Sequence, residues 1–515
     1  MESYGTPTRV EGAPASLARK FSFVLVLNPL RASIISLAFA ILNSWTAFTS
    51  SLPLSLTFGG PSSIIWGLLV ASICTLCIAF SLAEFLSAYP IAAGQYHWVA
   101  VSWKRHVLFL SWLTAWLNVA AWVFLTATAS LFGASLVMNI VALVHPGFDL
   151  QRWQLFCVYG GFITVAFLVN AFWNSVLALL NKVALLWSIC GFVVISIVTI
   201  SCSSPNYTSP SFVFTDFINE TGWNDGIAWL LGLLQGSLCL TGIDAVAHMV
   251  EEIPDPSIQG PRVMVACVAV GSFTSFVLII ILLFVAQDIN TVISSAYGPL
   301  LQLLLDATHS KAGAICLLVF PIGCLILGVC AIMTTSSRMV YALGRDNGLP
   351  FSHRWIKIHR NLGVPFNALC LCWTLAVCCG CIYLGSTTAF NALSSATVIC
   401  FDLSYLLPIF IHCLRGRNQL PDRAFSLSPA LGWAVNIVAI VYITFTTVLF
   451  ILPPNLPVTG ENMNYAVAVV GALLVISTVY WFAGGSNNFD CTEAGTHHDD
   501  NVPVEVVASS FDPGK

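Results

Sequence analysis

Apolar residues in this chain recur in runs of about twenty, and charge almost never interrupts them. The runs fall near 32–56, 62–86, 107–143, 154–173, 183–202, 227–250, 263–286, 313–337, 366–384, 388–412, 431–452 and 464–483. A helix rises about 1.5 Å per residue, so each can cross a hydrocarbon core of about 30 Å, and the third is long enough to tilt or to leave the membrane. Only 8% of the 515 residues are charged while 57% are hydrophobic, too little charge to cover a water-soluble fold of this size. The pattern predicts an all-α polytopic protein with twelve transmembrane helices in a lipid bilayer over 32–483. A cytoplasmic segment over 1–31 precedes them, and a polar, acidic, disordered cytoplasmic tail over 484–515 follows.

Twelve spans leave both termini on one side. Placing them in the cytoplasm puts only Arg152 and Lys311, of 19 lysines and arginines, on the outer side, the bias expected of an inserted protein. The loop between the fifth and sixth spans then faces outward and carries two acceptor sequons, at Asn206 and Asn219. A formal charge of -4 without a basic stripe argues against a nucleic-acid partner. Most of the 18 cysteines lie within apolar runs and read as small hydrophobes. No Cys/His spacing suits zinc, His497 and His498 read as solvated, and neither metal nor cofactor is expected. A membrane-embedded enzyme would need paired catalytic histidines and carboxylates, and no such constellation is present.

Within lipid, a helix can lose regular hydrogen bonding only where protein or a wet cavity satisfies the freed backbone groups. Two runs contain such interruptions, Asn43-Ser44-Trp45-Thr46 in the first span and Thr241-Gly242-Ile243-Asp244 in the sixth. These spans correspond when ten helices divide into two five-helix halves, the arrangement of a secondary transporter with a central site between broken helices 1 and 6. The same polar groups could instead join neighbouring helices. Asp244 is costly inside a span unless it faces a cavity or a partner. It could pair with a cationic substrate, orient the unwound segment or exchange a proton. His248 lies four residues on, and the Trp45 indole could hold an ammonium by cation–π attraction.

Further coupling or gating candidates are Glu84, near the inner end of the second span, and Lys182, which could sit beside the first-span break. Glu251 and Glu252 could pair with Arg262 or Arg338, and Asp402 in the tenth span could line a vestibule. The hydroxyls of residues 334–337 could form a coupling-ion site or serve as helix-packing contacts.

Several blocks appear in one order: LAFAILNSWTAF (37–48), FGGPSSIIWGLL (58–69), SLAEFLSAYPIAAGQYHWVA (81–100), TGIDAVAHMVEEIPDPSIQGPR (241–262) and SRMVYALGRDNGLPFSH (337–353). In these the chain resembles the amino acid/choline transporter family of the amino acid-polyamine-organocation superfamily, including fungal GABA and choline permeases. The resemblance implies twelve spans, a five-plus-five inverted-repeat core, and proton-coupled or exchange transport of small amines or amino acids. It places Asn43, Ser44 and Trp45 at the unwound part of span 1, where backbone amides meet a substrate carboxylate, and Thr241, Gly242 and Asp244 at that of span 6. It also implies the plasma membrane, with the vacuolar membrane as the alternative. Choline, polyamines and a transporter-like nutrient sensor remain the rival readings. One stretch departs from the family pattern: Val24 to Ser36 is longer than usual, contains Asn28-Pro29-Leu30-Arg31, and has Ser36 where a glycine is common. An insertion there would disturb the inner half of the first span.

Overall fold

The computed structural model describes residues 36, 38–103, 107–252, 254–460 and 462–491, apart from the side chains of Leu54 and Glu252. The departing stretch 24–35, the segment 1–31, and His497 and His498 lie outside the described residues. What is described is helical. The helices are joined by loops, two of which meet in an isolated antiparallel bridge between Phe58 and Asn219.

In chain order the helices used below are α1 (Ser44–Ser50), α2 (Gly60–Ala88), α3 (Gln95–Ser102), α4 (Leu108–Val144), α5 (Arg152–Phe172), α6 (Leu177–Ser203), α7 (Asp225–Gly232), α8 (Leu234–Cys239), α9 (Ala245–His248), α10 (Pro256–Val285), α11 (Lys311–Arg345), α12 (Phe366–Gly385), α13 (Thr387–Leu414), α14 (Pro429–Leu449) and α15 (Ala466–Phe482). Among the described residues, nine are long and apolar enough to cross a membrane: α2, α4, α5, α6 and α10 to α14. The shorter apolar helix α15 follows them, and two further apolar runs are interrupted helices.

Their faces are inverted relative to a water-soluble bundle. On α6, Ser188, Ser196, Thr199 and Ser203 are buried, while Leu179, Leu186, Ile189 and Ile197 point outward, Leu186 at 63% exposure. Hydroxyls face neighbouring helices and aliphatic groups face outward, as lipid requires. The long helix α4 runs through the centre, packing against α5, α11 and α13, while α2 packs along α10 and α14.

The start of the tail differs from the sequence expectation. Residues 484–491 pack back onto the bundle, with Phe489 6% exposed and Cys491 fully buried. The reason is local: an aromatic ring and a thiol sit among the polar residues, and Gly485 lies so close to Trp112 that an added Cβ would come within 2.6 Å of the indole.

Candidate functional site

Residues 38–42 are helical, Asn43 is not, and helix resumes at Ser44. Asn43 N–H still donates to Phe39 O at 2.8 Å, while the Thr46 and Ala47 amides turn onto Asn43 O at 3.0 and 3.2 Å. The Ser44 and Trp45 amides thus occupy the first turn of α1, where a helix has no internal acceptor to offer. Ser188 on α6 fixes the break: its hydroxyl donates to Asn43 Oδ1 at 2.8 Å and accepts from Trp45 Nε1 at 2.8 Å.

The second break separates α8 from α9. Gly242 within it has φ +86°, and Trp122 and Leu125 of α4 crowd the place a side chain would take. A residue with a Cβ would be strained there by backbone and neighbours alike.

Between the breaks lies a cavity of about 60 Å³. Its polar lining is Asn43, Thr46, Thr128, Cys239, Thr241 and Cys324. A larger cavity of about 320 Å³ adjoins it, with Gln235, Asn391, Ser394 and Asn464 among its polar residues. Phe132 and Leu238 line both, and Thr128 and Ser394 join their walls by hydroxyl contact at 3.2 Å. Among the described residues, no aspartate, glutamate, lysine or arginine lines either cavity.

The charge lies elsewhere. Asp244 is fully buried and lines neither cavity. Its Oδ2 accepts from Gln95 Nε2 at 2.9 Å and Asn118 Nδ2 at 2.8 Å, and lies 2.9 Å from His248 Nε2; its Oδ1 accepts from Tyr405 OH at 2.7 Å. His248 Nδ1 faces Ala92 O at 2.9 Å. The His248 ring thus bridges the Asp244 carboxylate and the Ala92 carbonyl. Four elements, α3, α4, α9 and α13, meet on this one carboxylate. Gly94, at φ +61°, makes the approach possible, since a Cβ there would lie 2.9 Å from His248 Cε1.

A second knot sits at the end of α2. Glu84, 1% exposed, accepts from Arg417 Nη2 and Arg423 Nη2, both at 2.6 Å, and from Leu427 N–H at 3.0 Å. Beside the first knot, Glu251 accepts from Ala92 N–H at 3.1 Å and lies 3.8 Å from Arg345 Nη1. Its cationic neighbour is therefore Arg345 and not the Arg262 or Arg338 expected from the sequence. Tyr96 OH donates to Asp346 Oδ2 at 2.8 Å. Burial pushes the Asp346 carboxyl above its ordinary range and raises the Tyr96 phenol well above its own, which keeps the phenol a donor.

Of the substrate residues read from the sequence, Asn43 and Thr241 line the central cavity. Ser44 is buried against Gly271, the Trp45 indole points to α6, and Gly242 packs against α4. Asp402 is buried and accepts from Thr446 Oγ1 at 2.9 Å, without lining the adjoining cavity. Lys182 is half-exposed on α6 and joins none of these networks. The Glu252 side chain lies outside the described residues. The hydroxyls of residues 334–337 contact Asn170 Oδ1, Cys372 Sγ and carbonyls of their own helix. Asn206 is exposed, whereas both ends of the Asn219 amide are engaged: Nδ2 by Trp223 O and Asp225, Oδ1 by Thr221.

Sequence reasoning missed Gln95, Asn118, Ser188 and Tyr405, the partners that make the breaks and the knot. Asn118 could have been singled out as an amide inside an apolar run (WLNVAAW). Nothing in one-dimensional spacing marks the others.

The chain matches the amino acid permease family over residues 32–474. It is 33% identical to a choline transporter of Saccharomyces cerevisiae, over 90% of this chain and 82% of that one. It is 34% identical to a putative amino acid/polyamine transporter of Macrophomina phaseolina, over 84% and 97% respectively, and 30% identical to an amino-acid permease of Arabidopsis thaliana, over 87% and 89%. With this match spanning most of a multi-pass membrane chain, the protein belongs to the amino acid permease family, whose members are transporters and not enzymes.

Proposed function

We propose that this protein is a secondary transporter that carries a small amino acid such as GABA by alternating access, with a proton as the coupling ion. The carrying observation is that both helix breaks border one central cavity with, among the described residues, no ionisable carboxylate, lysine or arginine in its lining. A zwitterion suits such a site. Its carboxylate is served by the amide end of α1 and its ammonium by the carbonyl end of α8, so opposite charges meet opposite helix termini. A polyamine would need carboxylates along its path, and the described residues of the lining offer none. The His248–Asp244 pair adjoins the second break, where a change in backbone would change the hydrogen-bond partners of both side chains.

Twelve spans in a five-plus-five core are part of this reading, and the packing supports it. The second span lies on the seventh (α2 on α10), the third on the eighth (α4 on α11) and the fourth on the ninth (α5 on α12). The contact of α1 with α10 has its counterpart in that of α8 with α2. When the halves are exchanged, each of the first three pairs maps onto itself and the last two contacts map onto each other. Both termini are assigned to the cytoplasm from the basic residues, and the plasma membrane is proposed from the family resemblance.

Choline is the second reading, favoured by the similarity to the yeast choline transporter and by Phe132, whose ring lines both cavities and could face a quaternary ammonium. The test is uptake of labelled GABA and labelled choline in transporter-deficient cells at acid and neutral pH, with amino acids and spermidine as competitors. Saturable GABA uptake, stronger in acid and abolished by a protonophore, is expected. Choline uptake without GABA uptake would replace the substrate, and no uptake of either by surface-localised protein would overturn the transport reading.

A further inference from the structure

Residues 484–491 are tied to the helix that completes the Asp244 knot. On α3, successive side chains bind different parts of the chain: Gln95 reaches Asp244, Tyr96 reaches Asp346 at the end of α11, and His97 Nδ1 lies 2.8 Å from Cys491 O. The C-terminal segment closes this circuit, because Asp490 N–H donates to Asp346 O at 3.3 Å. The Cys491 thiol lies 3.5 Å from Ser111 Oγ, whose own hydrogen goes to Tyr96 O at 2.7 Å, so the thiol is the donor. The Phe489 ring stands edge-on to Trp112 at 5.2 Å, and Trp112 itself is fully buried on α4.

We infer that residues 485–491 form a strap that positions α3 and thereby holds the Asp244 side of the transporter closed, with Phe489 and Cys491 as its anchors. Opening that side in a transport cycle requires α3 to separate from Asp244. The strap links α3 to α4 and to the end of α11, so α3 cannot leave without breaking the His97–Cys491 contact or carrying the strap away from Trp112. Burial pushes the Cys491 thiol up to about 11, which leaves the strapped form nearly inert to alkylation, since the thiolate is the reactive species.

The inference rests on the alternating-access reading, but its first test needs no substrate. Full-length protein in native membranes is treated with N-ethylmaleimide, and modification of Cys491 is followed by peptide mass spectrometry. In resting wild type Cys491 is expected to react slowly, and in Phe489→Ala roughly tenfold faster, the scale of losing most of one buried aromatic side chain. His97→Gln, which leaves the ring contact intact, is expected to give a smaller increase. For whichever solute the protein carries, Phe489→Ala is expected to raise the uptake KM severalfold with kcat less changed, because less protein rests open to the opposite side. Equal Cys491 reactivity in wild type and both variants, or full reactivity in resting wild type, would overturn the strap. Failure of GABA uptake alone would leave the alkylation result standing and change only the substrate.

Discussion

The two ends of the transport path are built from different materials. Around Asp244 and Glu84 the protein joins helices through buried carboxylates, each held by several donors. On the other side of the breaks, the cavity of about 320 Å³ is lined by uncharged side chains. A buried carboxylate with all its donors in place is costly to separate from any of them, and the cost rises where water is absent. An apolar wall with scattered amides and hydroxyls is readily parted and rewetted. The contrast teaches that the helices are tied together on the side of the carboxylate knots and less firmly around the larger cavity. On the proposed transport reading, the acidic residue inside the sixth span serves closure and recognition falls to uncharged groups.

The largest effect should come from breaking the first knot. Asp244→Ala leaves Gln95, Asn118, Tyr405 and His248 without their shared acceptor, and about 3–5 kcal/mol of stability should be lost. Uptake should vanish, with surface-level fluorescence and thermal denaturation separating loss of function from loss of protein. An active Asp244→Ala variant would show that the knot is dispensable. Glu84→Gln should cost somewhat less, about 3 kcal/mol, because two largely buried arginines lose their counter-charge but an amide oxygen of the same shape can still accept from one of them; a lowered melting temperature in detergent is the readout.

At the other end, Phe132→Ala should leave stability nearly unchanged and alter selectivity. Widening the narrow place between the cavities should shift the ratio of KM values for a small and a bulky substrate by about 1–3 kcal/mol. A change in stability without a change in selectivity would remove Phe132 from the path.

A smaller effect should appear with pH. Burial holds His97 below its ordinary value of 6.5, so the neutral ring belongs to the strapped form. The contribution of His97 to closure is complete above about 6.5 and declines as pH falls through the lowered value. Asp346, raised by burial, works in the opposite sense, so the informative quantity is the difference between wild type and His97→Gln. Acidification should increase Cys491 alkylation more in wild type than in the variant; parallel pH profiles would exclude His97 as the titrating group.

The smallest effect on transport should come from the sequons. Asn206→Gln should remove a glycan-dependent gel shift while leaving uptake as it was. Asn219→Gln should leave that shift in place, since both ends of the Asn219 side chain are already engaged and Thr221 is fully buried. A shift lost only in Asn219→Gln would mean that this corner opens before it folds.

Much of the architecture could be read along the chain because lipid imposes a one-dimensional requirement: about twenty consecutive apolar residues for each crossing. The polar interruptions at Asn43 and at 241–244 were visible for the same reason. The site itself was only partly visible. Asn43 and Thr241 do border the cavity, but Trp45 and Asp244 turn away from it, toward Ser188 and toward a ring of donors. A sequence shows that a charge lies inside a span and that it must be compensated, and it does not show by what. The folding back of residues 484–491 was hidden because their composition is that of a solvated tail, and only the close approach of Gly485, Phe489 and Cys491 to Trp112, α3 and Asp346 gives them a place.

The sequence by itself determined that this chain lives in a membrane, about where it crosses, which two helices are interrupted, and to which family it belongs. Each of these depends on local composition or on residue order. Only the tertiary structure decided which polar residues face the cavity and which are bound into the carboxylate knots, because that choice is made by partners 126 to 161 positions away, such as Asn118 and Tyr405 on Asp244, brought together when the helices pack.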